Sequence, residues 1–305
     1  MNSQMTFGLG LALPIALVLL LGFWLLFRQR PAERLLALRS MVLMFLTFMI
    51  VQFMYLVFHE GGHSLNAVWR GVPVTLYVHP FFFAGFSRPA VDVTNVWPHI
   101  LGSGTSIPLA LLISLLSWKR RSPALLPLAM LFPWVALGDG INITGVMGGM
   151  SGDFNNVVLL TGLPAALFVT LGVLIFCIGV LSLLSLFPLA GLSPHDHKAL
   201  FVIPGAMFLI SMLSFVVAQS FVPGSLIDRE YALGPDILLT ATFSILLYPI
   251  VGLILAVLYV TLCRKISPQL PAWLRTETVD LAWKDFRLPG ILWAISIALG
   301  LIIVI

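Results

Sequence analysis

Long apolar runs separated by short polar stretches organise this chain. The runs cover approximately residues 6–27, 40–63, 95–118, 122–147, 156–187, 199–222, 237–263 and 290–305. A helix that crosses hydrocarbon needs about 20 mostly apolar residues, because there it must satisfy its own backbone hydrogen bonds. The pattern predicts an all-α, polytopic membrane protein of about eight transmembrane helices. The first run has neither a basic leader nor an evident cleavage site and reads as a retained span. The fifth is long enough to be strongly tilted or to begin in a surface layer, and the last is short for a full crossing.

Two stretches interrupt the helical text. Val74 to Pro89 mixes aromatic and Gly residues without a helical period and reads as a short strand-like insertion. The second runs from Gly145 to Gly152 and also carries Gly148 and Gly149. Irregular backbone at membrane depth survives only inside protein or beside water. Pro268 to Pro289, with Trp273, Trp283 and Phe286 among its charges, reads as an interfacial loop or short amphipathic helix. The chain divides into a first span with a basic loop (1–35), a core (36–165) and further spans of unassigned role (166–305).

Composition agrees with the pattern: 60% of residues are hydrophobic and 9% charged, with a formal net charge of +4. A water-facing surface cannot be built from so few charges. The basic residues gather at Arg28, Arg30, Arg34 and Arg39, at Lys119 to Arg121, and at Arg264, Lys265, Arg275, Lys284 and Arg287. With eight spans all three clusters fall on one side, the cytoplasmic side of a cell membrane, which puts both termini outside the cytoplasm. The expected partners are the lipid bilayer and a membrane-protein or peptide substrate, with no nucleic acid. Cys177 and Cys263 lie in apolar text without metal or redox spacing and read as buried, inert thiols.

The candidate chemistry is His59-Glu60-Gly61-Gly62-His63. On a helix, residues four apart share a face, so both imidazoles point one way and Glu60 lies beside them. Two neutral imidazoles suit Zn2+, which activates water at an open coordination position while Glu60 takes the proton. Three ionisable groups closing an apolar run of spanning length are costly if they face lipid, which favours a functional role. A rise of about 1.5 Å per residue from Arg39 sets both His about 30 Å along, near the non-cytoplasmic side.

The stretch His59 to Val72, reading HEGGHSLNAVWRGV, resembles the site-2 protease family of intramembrane zinc metalloproteases. So do the strand-like insertion after it and the entry to the next span through Gly102-Ser103-Gly104, although the Ala-Gly-Pro common there in the family is missing. The resemblance covers residues 40–165. It implies peptide hydrolysis in or near transmembrane segments, zinc on His59 and His63, Glu60 as base, and an Asp as third ligand. Two Asp compete for that place. Asp153 is preceded by Asn142 across the Gly-rich loop, and the resemblance gives Asn142 a part in substrate binding. Asp139 keeps the family's Asp-Gly pair with Gly140. Asp153 is preferred and Asp139 stays open.

Other polar residues invite blander readings. His79 and His99 read as interfacial anchors, His195 to His197 as a solvated turn, and Asp228 to Glu230 as surface charge. The Phe81 to Phe83 run could present a strand edge to an extended peptide. The rival to a protease is a metal-binding transporter or inactive scaffold, but a structural zinc site has no use for a carboxylate base such as Glu60.

Overall fold

Pro31 opens a helix of 39 residues, α1 (Pro31–Trp69), and no further proline interrupts it. Its end is written in Gly71, whose φ of +69° suits a residue without Cβ. The N–H of Val72 then donates to the Ala67 carbonyl and that of Gly71 to the Val68 carbonyl, both at 3.0 Å, which satisfies two of the last helical acceptors. The computed structural model describes residues 31–78, 85–89, 95–144, 153–192 and 278–303, with isolated positions between 254 and 261.

Beyond α1 the strand-like insertion is an antiparallel hairpin. Strand β1 (Val74–Val78) pairs with β2 (Gly85–Pro89), Val74 opposite Pro89 and Val78 opposite Gly85. Buried Val78 packs with Phe53 and Leu56 of α1, and the Ser64 and Ser87 hydroxyls meet at 2.9 Å. The hairpin therefore lies along the last turns of α1.

Helix α2 (Trp97–Trp118) starts where Asn95 Oδ1 accepts the Trp97 N–H at 3.1 Å, and Pro98 occupies its first turn. It packs close to α1 because Gly62 has no side chain: a Cβ there would overlap the Leu101 carbonyl and the Thr105 hydroxyl. Thr105 Oγ1 donates across the contact to the Phe58 carbonyl at 3.1 Å. Without a hydrophobic drive between helices in lipid, small residues and such bridges carry the association.

A turn and two short helical pieces, Pro123–Leu125 and Leu126–Ala129, lead into α3 (Leu131–Thr144). Then come α4 (Asp153–Thr161), α5 (Ala165–Leu186) and, much later, α6 (Arg287–Ile303). The expected single run over 156–187 is thus two helices, broken at Gly162-Leu163-Pro164, where Gly162 has a φ of +69° and Pro164 cannot continue a helix donor pattern. Helices α3 and α5 meet backbone to backbone, and a Cβ on Gly140 would stand 2.9 Å from the Gly172 carbonyl. Leu43, Met44, Val51, Leu126, Leu131, Val135 and Ala136 form the buried centre.

Four stretches among the described residues are long and apolar enough to cross a membrane: Leu38–Trp69, Trp97–Trp118, Pro123–Thr144 and Ala165–Ala190. Leu112, Leu116, Leu167 and Leu174 stand exposed on their outer faces, as lipid contact requires. The chain is a helical membrane protein. The expected spans over 6–27, 199–222 and 237–263, the Gly145–Gly152 loop, His79, Phe81 to Phe83, His195 to His197, Asp228 to Glu230 and Cys263 lie outside the described residues, apart from those isolated positions.

One end of the bundle collects polar anchors. Arg39 donates to the Leu281 carbonyl at 2.9 Å and lies over the Trp283 ring at 5.4 Å, while the Val279 N–H reaches the Pro188 carbonyl at 3.1 Å. The basic residues Arg39, Lys284 and Arg287 share this end. The HEGGH turn of α1 begins about five and a half helical turns beyond Arg39.

Candidate metal centre

Four elements converge at the far end of the bundle. Helix α1 brings His59, Glu60 and His63; the first turn of α2 brings Pro98, His99 and Gly102; α3 brings Asp139 and Asn142; and α4 opens on Asp153. The helical spacing of four sets the two imidazole rings edge to face, with centroids 4.7 Å apart.

The two aspartates take different sides of these rings. Asp153 Oδ2 stands 3.5 Å from His59 Nε2 and 3.3 Å from His63 Nε2. The ligand atoms of His59, His63 and Asp153 all lie within 4.8 Å of one another. Asp139 instead faces the opposite nitrogen, its Oδ1 3.0 Å from His59 Nδ1 and set obliquely to the ring N–H. Of the two candidates for a third ligand, only Asp153 shares a focus with both Nε2 atoms.

The remaining ring nitrogen of His63 donates to a backbone acceptor: Nδ1 lies 2.5 Å from the Pro98 carbonyl. The α2 turn after Pro98 has room for the ring because residue 102 is Gly; a Cβ there would approach His63 Cε1 to 2.5 Å and His59 Cε1 to 3.1 Å. The Gly102-Ser103-Gly104 entry seen in sequence thus has one glycine that shapes the site. Gly104 would meet nothing nearer than Ile100 Cγ2 at 3.9 Å.

Asp153 is held by neighbours that sequence reasoning had weighed differently. His99, expected as an interfacial anchor, places Nδ1 3.3 Å from Asp153 Oδ1. Asn142, expected at the substrate, donates Nδ2 to Asp153 Oδ2 at 3.4 Å. Burial pushes the Asp153 carboxyl up, but the imidazoles of His59, His63 and His99 outweigh it and hold the group far below the usual carboxylate range. Asp153 is a carboxylate at neutral pH and able to bind a cation.

Asp139 is wholly buried yet well supplied with donors. Tyr55 donates to its Oδ1 at 3.1 Å and Ser106 to its Oδ2 at 2.5 Å. Gly138 admits the Tyr55 ring, which a Cβ would crowd at 3.0 Å. Tyr55 and Ser106 escaped sequence reasoning, although Tyr55 lies one helical turn before His59. Glu60, next to His59 on α1, is partly exposed.

Two edges of the donor set have the length that tetrahedral zinc would require. Two ligand atoms each about 2.0–2.1 Å from zinc stand about 3.3–3.4 Å apart at the tetrahedral angle. The separations from Asp153 Oδ2 to the two Nε2 atoms, 3.5 and 3.3 Å, match that edge. A direct charged N–H···O pair closes to about 2.7–2.9 Å instead. Comparison of the chain with protein-family models, curated proteins and solved structures finds no match.

Proposed function

We propose that this protein is an intramembrane zinc metalloprotease, a divergent relative of the site-2 protease family, that hydrolyses peptide bonds in or near the transmembrane segments of other proteins. The observation that carries this reading is the common focus of His59 Nε2, His63 Nε2 and Asp153 Oδ2 beside the carboxylate-bearing turn of Glu60. On this reading His59, His63 and Asp153 hold the ion and leave a fourth position open.

Zinc, when bound, supplies a Lewis acid that activates water and polarises a carbonyl. Glu60 takes the proton of a water whose oxygen bonds to the peptide carbonyl carbon, and hands it to the amine nitrogen as the C–N bond breaks. An ion held by the two Nε2 atoms would leave each ring its proton on Nδ1, where Asp139 Oδ1 lies near His59 and the Pro98 carbonyl accepts from His63. Helix α1, the start of α2, the end of α3 and the start of α4 carry the side chains of the site.

The hairpin beside the site suits an extended substrate, since a strand pairs by backbone hydrogen bonds once a helical segment has unwound. The basic residues at the opposite end of the bundle favour a site nearer the non-cytoplasmic face of a cell membrane. Glu60 favours hydrolysis over a transport or scaffold role.

The test is metal removal. The full chain, co-reconstituted with single-span substrate proteins, should lose cleavage on treatment with a chelator and regain it with zinc. Cleavage that survives complete metal removal contradicts the proposal. A second expectation follows from Gly102. The Gly102→Ala methyl must displace the His63 ring at a cost of about 1–3 kcal/mol, which should appear as at least about tenfold weaker zinc binding. Gly104→Ala, two residues on and turned to the other side of α2, should bind like the natural chain, and equal affinities for both variants would count against the packing account.

A further inference from the structure

The Asp139 carboxylate has a cost that its surroundings alone do not explain. An ionised group taken out of water loses several kcal/mol of solvation unless its partners are well placed. Asp139 is 0% exposed and is served by Tyr55, Ser106 and His59 from two different helices. Three elements are committed to it: α1 through Tyr55 and His59, α2 through Ser106, and α3, which carries it between Gly138 and Gly140. If packing were the only need, an apolar residue of similar volume would serve at least as well.

We infer that Asp139 is a positioning residue for the metal centre, acting through His59, and this rests on the zinc reading above. Its Oδ1 stands 3.0 Å from His59 Nδ1, and a carboxylate on that side favours the tautomer with its proton on Nδ1 and Nε2 free towards Asp153 and His63. Tyr55 and Ser106 hold the carboxylate so that it cannot rotate away or swing to the Nε2 side. His63 has a backbone carbonyl, that of Pro98, in the equivalent place.

The same geometry separates this role from that of a ligand. Asp139 lies behind the ring, with His59 between it and the focus shared with Asp153. Outer partners of this kind typically contribute 10–100-fold in metal affinity.

The experiment measures zinc affinity of the purified full chain by competition with a chromophoric chelator, and the visible spectrum after loading with Co2+. Asp139→Ala should still reach one metal per chain, with affinity lowered about 10–100-fold and a Co2+ spectrum of unchanged coordination type. Asp139→Asn, which keeps the shape and offers its amide oxygen to His59 Nδ1, should recover part of that loss even where the Ala variant folds poorly. Unchanged affinity in Asp139→Asn and Asp139→Ala, against a natural chain that binds zinc, overturns the positioning role alone. Loss of stoichiometric binding with an altered Co2+ spectrum in Asp139→Asn overturns it in favour of a direct ligand. A natural chain that binds no zinc removes the zinc reading and this inference with it.

Discussion

Glu60→Gln should lower cleavage about 10²–10⁴-fold, the usual contribution of a general base, while the protein keeps its fold and its metal. The amide matches the carboxylate in size, so the turn of α1 that carries both imidazoles is undisturbed. What it loses is the ability to accept a proton from water. The result is read by comparing cleavage of a co-reconstituted single-span substrate with the metal content of the same preparations. Cleavage at the natural rate by a metal-loaded Glu60→Gln chain would remove Glu60 from the chemistry. Loss of metal together with activity would instead make Glu60 part of the binding site.

Asp153→Ala should have the second large effect, on metal rather than on the proton. Among the described residues Asp153 Oδ2 faces both Nε2 atoms, and two imidazoles alone leave the ion half open. The expected loss exceeds the roughly 10–100-fold assigned to an outer partner such as Asp139. The two aspartates therefore give an ordered series: natural chain, Asp139→Asn, Asp139→Ala, Asp153→Ala. A reversed order, with Asp139→Ala the more severe at intact fold, would exchange their roles. Because His99 and Asn142 bind the Asp153 carboxylate, they keep it at the site through the turn that opens α4.

Much of this site was legible in the chain because its main determinant is local. Helical spacing alone puts His59 and His63 on one face, and an apolar run closed by three ionisable groups marks them as candidates. The strand-like insertion was legible too, since Val74 to Pro89 lacks a helical period and folds as the β1–β2 hairpin. The choice between Asp139 and Asp153 was not. Both sit at the same end of the bundle by helical rise, and which imidazole nitrogen each one meets depends on how α3 and α4 approach α1.

Tertiary approach also explains what sequence reasoning assigned otherwise. His99 follows Pro98 near the start of a helix, which reads as an interface, but the first turn of α2 leans over α1 and turns that residue to Asp153. Only the missing Cβ of Gly62 and Gly102 lets it do so. The run over 156–187 reads as one helix by hydropathy, and the Gly162-Leu163-Pro164 signal that ends α4 is a backbone effect that hydropathy does not register.

The most direct test of the account is the zinc content of the purified, full natural chain, measured by elemental analysis beside Asp153→Ala. The account predicts about one zinc per natural chain, as a single three-residue site requires, and a sharp loss in the variant. A natural chain without stoichiometric metal after zinc loading, or equal zinc in both, would contradict it.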